Sequence, residues 1–400
     1  MKKVVIIGGG YAGIYALREL VKNKDIKITL VDKHTFHNLQ PEVYDLIANK
    51  SNMADVTIDL TTLCTGIDHD HLEFKNLKVR NIDTNVNKIY TQEQETVEFD
   101  YLIMAAGART FFPESITGLN NAEDIKKLHR AIFFKQSFEN QLFEKISDEV
   151  KKCNNTNIIV VGAGLSGVEI AAEMAHNANK FFKRGNFACD NLQISLISSS
   201  ATILPGLPKD IINMSHKRLK DLGINIITGS KMERCDEHYI YLTNGTKINQ
   251  SFIVFTGGIE ASKITEVLDV HKNKRGQIIV NEYMQTDKYE NIFIIGDMAE
   301  IKDKKGDILP PNVTVARFSG TTTGDNVNRM IKGKKLNACY PKLEGVLIAL
   351  GGTYAVGNLY GLINVKGLLA YFIKKYVFRS YRAPLLKLIK IGYARFNKLR

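Results

Sequence analysis

The sequence predicts an α/β chain made of two similar parallel-sheet units and closed by a basic, amphipathic tail. Three observations carry this. An apolar strand runs into a glycine-rich turn at the N-terminus. The same pattern recurs near the middle of the chain. The last 35 residues hold ten Lys and Arg, no Asp or Glu, and many large apolar side chains.

The first strand is Val4-Val5-Ile6-Ile7, a β-branched run of the kind buried in a parallel sheet. Gly8-Gly9-Gly10-Tyr11-Ala12-Gly13 follows, a G-x-G-x-x-G frame expected to open a helix over Ile14–Asn23. In such a turn Gly8 permits the tight bend, Gly10 lets a pyrophosphate reach the backbone, and Gly13 lets helix and strand pack closely. The helix N-terminus offers free N–H groups to phosphate. A second strand, Ile26–Val31, ends at Asp32, where this fingerprint places a carboxylate for a ribose hydroxyl. The full set marks a Rossmann-like dinucleotide-binding unit.

Asp100–Ala105 is a further buried strand, ending in the small residues Ala106 and Gly107, which let a loop close over a cofactor. Between the two lie short strands over 77–82, 88–91 and 96–99, a β-meander. The stretch 122–150 reads as a charged helix crossing to the next unit.

Asn157–Val161 then repeats the opening strand, and Gly162, Gly164 and Gly167 repeat the glycine frame, with a helix expected over Val168–Lys180. A second meander (231–235, 239–243, 247–249) and an apolar strand, Phe252–Phe255, ending near Gly257 and Gly258, complete the copy. Two copies of one plan predict two dinucleotide sites. A late apolar strand, Asn291–Ile295, ends in Gly296-Asp297 and returns the chain to the first unit.

With 400 residues, 44% hydrophobic and 24% charged, the chain has the composition of a folded protein of two or three domains. Its net charge of +12 favours an anionic partner surface. Five scattered cysteines, none in a C-x-x-C pair, argue against a disulfide framework and a zinc site; no metal site is expected. The N-terminus enters the first strand directly, without a signal-type apolar segment, which predicts a cytosolic chain.

These motifs resemble the two-dinucleotide-binding-domain flavoproteins of the pyridine nucleotide-disulfide oxidoreductase type. Within them, His37–Ala48, Val161–Glu173, Ala201–Pro208, Leu309–Gly320 and the C-terminal tail are similar to the type II, non-proton-pumping NADH:quinone oxidoreductases. The resemblance implies FAD at Gly8, Gly10, Tyr11, Ala12, Gly13, Asp32, Ala106, Gly107, Gly296 and Asp297. It implies NADH at Gly162, Gly164, Gly167 and Ser198. Glu169 matches a glutamate near the nicotinamide and quinone side of the flavin and is the expected catalytic side chain. The flavin itself carries the redox chemistry, so no catalytic triad is expected.

The sequence departs from the group twice. The strand Gln193–Ile197 ends in Ser198-Ser199-Ser200, where the group has an acid for the NAD ribose. The quinone-side motif, two glutamines flanking an alanine, reads Thr314, Ala316 and Phe318 here; only the alanine matches. The implied organisation is FAD domain 1–118, NADH domain 119–262, FAD domain 263–335, and a C-terminal hairpin with membrane-anchoring helices over 336–400.

Gly345–Ile363 is uncharged and long enough to span a bilayer, but its five glycines favour a two-stranded hairpin. Beyond it, Leu368, Leu369, Phe372, Ile373, Tyr376 and Val377 recur at helical spacing. Pro384 is expected to break the helix. Leu385, Leu388, Ile389, Gly392 and Phe396 form a second face. Basic residues from Lys366 to Arg400 accompany both, the pattern of helices lying in a membrane interface against anionic lipid. Lys366 is expected to approach the flavin pyrimidine ring. The location this implies is peripheral, on the cytoplasmic face of the cell membrane, with a lipid quinone as acceptor.

A sulfide:quinone oxidoreductase is the alternative; Cys153 and Cys339 would then carry sulfur. A nucleic-acid-binding flavoprotein is a remote one, because the tail lacks base-stacking chemistry. Oligomers such as homodimers are common among these folds, but no stretch dictates one.

Overall fold

The first fingerprint strand, Lys2–Ile7, lies at the centre of a five-stranded parallel sheet. Ile26–Asp32 and then Leu72–Asn76 flank it on one side; Tyr101–Met104 and then Ile292–Ile294 flank it on the other. The register sets Ile7 beside Val31 and Met104, so all three strands end together at one rim. This computed structural model describes residues 1–67, 70–119, 122, 126–147, 156–185 and 192–397. Cys153, Cys189, Lys398 and Arg400 lie outside the described residues.

Helix α1 (Tyr11–Leu20) starts three residues earlier than its sequence pattern suggests. Gly10 is its extended N-cap, so Gly13 sits inside the first turn. The short α2 (Val43–Ile47) and α3 (Leu60–Ile67) follow. A three-stranded antiparallel meander covers Val79–Asp83, Lys88–Thr91 and Thr96–Glu98 as expected. After α4 (Leu128–Ser147) the plan repeats.

Thr156–Val161 is flanked by Leu192–Ile197, then Asn225–Ile227, and on its other side by Phe252–Phe255, all parallel. Helix α5 (Leu165–Gly185) follows its glycine turn, and α6 (Lys209–Asp221) precedes the edge strand. A second meander covers Met232–Cys235, Tyr239–Leu242 and Lys247–Asn249. The two chain crossings between the units pair with each other, Ala108–Thr110 antiparallel to Ile259–Ala261.

Helix α7 (Val313–Ile331) packs directly on α1. A Cβ at Gly320 would overlap the Ala12 carbonyl, and one at Gly324 would lie 2.5 Å from the Ala16 carbonyl. Their absence lets the two backbones touch.

The C-terminal region differs from the sequence expectation in three ways. The hairpin is a three-stranded meander of Gly345–Ala349, Ala355–Leu359 and Ile363–Lys366. Pro384 does not break the helix: α8 is continuous from Gly367 to Phe396. Packing overrides the lost backbone bond. Gly66 of α3 abuts the Leu388 carbonyl, and Gly392 of α8 abuts the Thr62 carbonyl, so the half after Pro384 is held against α3.

Third, the two apolar faces of α8 have different fates. Tyr381, Leu385 and Gly392 are buried in the protein, with Leu388 and Ile389 packed against the core. Leu368, Leu369, Phe372, Tyr376 and Val377 remain exposed, as does Leu362 in the last turn of the meander. Among the described residues, no helix is long and apolar enough to cross a membrane.

Candidate functional site

The two glycine turns are built alike. At Gly8 (φ +110°) a Cβ would overlap the Ala105 carbonyl, and at Gly162 (φ +108°) it would lie 2.7 Å from the Thr256 carbonyl carbon. At Gly13 it would overlap the Gly8 carbonyl, and at Gly167 the Gly162 carbonyl. These four glycines serve packing. The middle glycines do not: a Cβ on Gly10 or Gly164 would meet nothing within 4 Å. Each turn thus leaves open space above its middle glycine, at the N-terminus of a helix. That is the cradle a pyrophosphate requires, and the residues at both turns fit a dinucleotide such as FAD or NADH. Tyr11 and Ala12 open α1 beside the first cradle; the Ala12 methyl packs on Gly296, which it would contact at 2.9 Å if Gly296 carried a Cβ.

Asp32 and Ser198 occupy equivalent places. Gly8 N donates to Val31 O at 2.8 Å and Gly162 N to Ile197 O at 2.9 Å, and the next residues are Asp32 and Ser198. Asp32 accepts hydrogen bonds from Gly9 N (2.7 Å) and His34 N (2.8 Å). Burial pushes its carboxyl pKa up, against the pull of these two amides. Ser198 Oγ accepts from Ser200 N (3.2 Å) and donates to Thr202 O (2.9 Å). A neutral, already engaged hydroxyl stands where the first unit has a carboxylate.

The late strand delivers Gly296 (φ +64°) and Asp297 to the first cradle. Gly296 N donates to Ser319 Oγ of α7 at 3.1 Å. Asp297 faces Lys126 at 3.9 Å, and burial raises its pKa. Ala106 N donates to Met298 Sδ at 2.9 Å, tying the Ala106-Gly107 loop to this segment. Gly107 (φ +67°) also opens on free space, and its carbonyl accepts from Ser262 N at 3.0 Å.

Glu169 lies in the second turn of α5, because α5 begins at Leu165 rather than Val168. It is buried. Its carboxylate accepts from Ala349 N at 2.8 Å and pairs with Lys374 of α8. Around it, Lys375 pairs with Glu42 (3.0 Å) and Asp45 (2.5 Å), and Lys50 with Glu173 (2.5 Å) and Asp45 (3.6 Å). Burial raises the pKa of Glu42 and Glu173, and the lysines oppose it. A cavity of about 10 Å³, room for about one water, lies among these groups, lined by Glu42, Asp45, Glu173, Lys374 and Lys375. Tyr44 Oη donates to Ser166 Oγ at 2.8 Å and completes the link between α2 and α5. The basic face expected to meet lipid is therefore partly internal: Lys374 and Lys375 serve carboxylates, Arg382 bonds to Asp55 and Ala54 O, and Arg395 to Thr65 O.

Thr314, Ala316 and Phe318 lie in the first two turns of α7. Ala316 is buried, with Gly296 beside it; Thr314 and Phe318 are half-buried. The Arg317 guanidinium lies 4.8 Å from the centre of the Phe318 ring and 2.7 Å from Glu344. Lys366 is exposed, at the end of the last strand and the start of α8.

One neighbour of the first cradle escaped the sequence reading. Tyr381 of α8 stacks near Tyr11 (ring centres 4.8 Å apart), and its hydroxyl lies 2.9 Å from His37 Nε2. His37 is buried edge-on against Tyr11, and burial pushes its pKa down to about 3. Spacing alone offers no signal for a contact so distant in sequence. Cys339 is buried, and burial pushes its thiol pKa up to about 11. It is thereby a poor sulfur nucleophile. Among the described residues no group of His, Cys, Asp and Glu could hold a metal ion.

The pyridine nucleotide-disulphide oxidoreductase family profile matches residues 2–320. A type II NADH:quinone oxidoreductase of Haemophilus influenzae is 26% identical over 428 aligned positions, which cover 98% of this chain and 96% of that one. The structure of NDH2 from Plasmodium falciparum in complex with NADH superposes with a TM-score of 0.86 at 18% identity, covering 99% and 98% of the two chains. The sulfide:quinone oxidoreductase of Aquifex aeolicus superposes at 0.80 with 20% identity, covering 98% and 92%. With two open glycine cradles, a late Gly-Asp segment beside the first, and a family match over most of its length, this chain belongs to the pyridine nucleotide-disulphide oxidoreductase family.

Proposed function

We propose that this protein is a type II NADH:quinone oxidoreductase, a peripheral membrane flavoenzyme that passes electrons from NADH through FAD to a membrane quinone without pumping protons. The observation that carries this is the match to a relative of that name over 98% of this chain and 96% of that one, which extends through the C-terminal region. In this reading residues 1–118 and 263–335 hold FAD, 119–262 hold NADH, and 336–400 form the membrane-facing region. FAD supplies, when bound, an acceptor for hydride and a donor of two electrons.

The chain's own residues bind and orient. Gly10 and the start of α1 hold the FAD pyrophosphate, Asp32 the ribose, and Gly296-Asp297 the central part of the cofactor. Gly164 and the start of α5 hold the NADH pyrophosphate, with Ser198 at the ribose. Glu169, kept in place by Ala349 N and Lys374, stands on the nicotinamide and quinone side. Thr314, Ala316 and Phe318 line the quinone side. The exposed face of α8, Leu368, Leu369, Phe372, Tyr376 and Val377, dips into the cytoplasmic leaflet and brings the site to its lipid-borne acceptor.

Anaerobic titration of the flavin absorbance tests the reading. NADH is expected to bleach the flavin rapidly, and a quinone to restore it. Bleaching by sulfide and not by NADH would overturn the assignment in favour of sulfide oxidation.

A further inference from the structure

We propose that the nicotinamide site, on the reading above, does not discriminate against the 2′-phosphate, so that the enzyme uses NADPH about as well as NADH. The strand Leu192–Ile197 pairs with Thr156–Val161 as Ile26–Asp32 pairs with Lys2–Ile7. That register puts Ser198 where Asp32 stands in the first unit. A carboxylate there does two things: it accepts a bond from each ribose hydroxyl, and it repels a phosphate ester at the 2′ position.

Ser198 does neither. Its proton goes to Thr202 O at 2.9 Å, and it accepts from Ser200 N at 3.2 Å. The flanking residues are neutral: Ser199, Ser200, Ala201 and Thr202 on one side of the turn, Gly229 and Ser230 on the adjoining loop. That loop is fixed against the turn, because Ser230 N donates to Ser198 O at 3.2 Å and Gly229 N to Ser200 O at 2.8 Å. An exposed lysine, Lys231, follows directly. Neutral serine side chains and a nearby lysine admit a phosphate without charge repulsion, and the ribose of NADH loses its paired acceptor. Both changes move the ratio of affinities toward unity.

Calorimetric binding of ADP-ribose and 2′-phospho-ADP-ribose to the flavin-loaded full chain tests this without turnover. The two dissociation constants are expected to agree within about threefold. A larger preference for ADP-ribose overturns the inference. Ser198→Asp is expected to weaken the phosphorylated ligand by about tenfold or more while retaining ADP-ribose, whose binding reports that the domain is folded. Because Ser198 is buried, the exposed Lys231→Glu serves as a second variant with the same expected direction. If both variants bind the two ligands in the wild-type ratio, the turn does not govern selectivity. Flavin that neither NADH nor NADPH bleaches would instead overturn the proposed function, and the binding ratio would still decide this inference.

Discussion

Tyr381 Oη lies 2.9 Å from His37 Nε2 although 344 residues separate them in sequence. This bond joins the C-terminal helix to the short strand Phe36–Asn38 that follows Ile26–Asp32, and both rings pack on Tyr11, next to the first glycine cradle. The region proposed to meet the membrane is thus wired to the region proposed to hold the flavin.

Tyr381→Phe removes the hydroxyl and leaves a buried imidazole nitrogen without its partner. The expected cost is about 1–3 kcal/mol of stability. Urea unfolding of wild type and variant measures it, and an unchanged midpoint would show that the bond contributes nothing.

His37 also sets a pH dependence. Its pKa falls from 6.5 in the unfolded chain to about 3 when buried. The unfolded chain therefore binds a proton that the folded one refuses between these values. The contribution is complete above pH 6.5 and declines as pH falls toward 3. From pH 6.5 to about 5 the loss is about 2 kcal/mol. In His37→Gln, the slope of stability against pH over that range is expected to be shallower.

The glycines of the first turn separate folding from cofactor binding. Gly13→Ala drives a methyl into the Gly8 carbonyl and is expected to destabilise the fold by about 1–3 kcal/mol. Gly10→Ala meets no protein atom, so stability of the cofactor-free chain changes by less than about 1 kcal/mol. Its flavin content after purification is nevertheless expected to fall. Retention of full flavin by Gly10→Ala would show that the cradle lies elsewhere.

The exposed face of α8 offers a cleaner probe of membrane binding than truncation, which would also strip Tyr381 and Leu385 from the core. Leu369 and Phe372 are 62% and 58% exposed. Replacing both by Asp leaves the buried contacts intact. Each apolar side chain withdrawn from lipid is worth about 1.5–3 kcal/mol, so co-sedimentation with anionic vesicles is expected to drop by tenfold or more. Unchanged sedimentation would assign membrane binding to another surface.

Much of this was legible in the sequence. Both glycine frames, Asp32, the meanders and the late Gly-Asp strand are local patterns, because strand period, turn sterics and helix N-termini act over a few residues. The same locality misled at the C-terminus. Pro384 weakens a helix in isolation, but contact between Gly66, Thr62, Leu388 and Gly392 keeps α8 continuous. Lys374 and Lys375 read as part of a lipid-facing basic stripe, yet Glu169, Glu42 and Asp45, from distant segments, claim them. The sequence by itself determined the two dinucleotide-binding units and their likeness. Only the tertiary structure decided which apolar face of the tail is core, which is free, and which charges are spent inside, since those outcomes depend on partners hundreds of residues away.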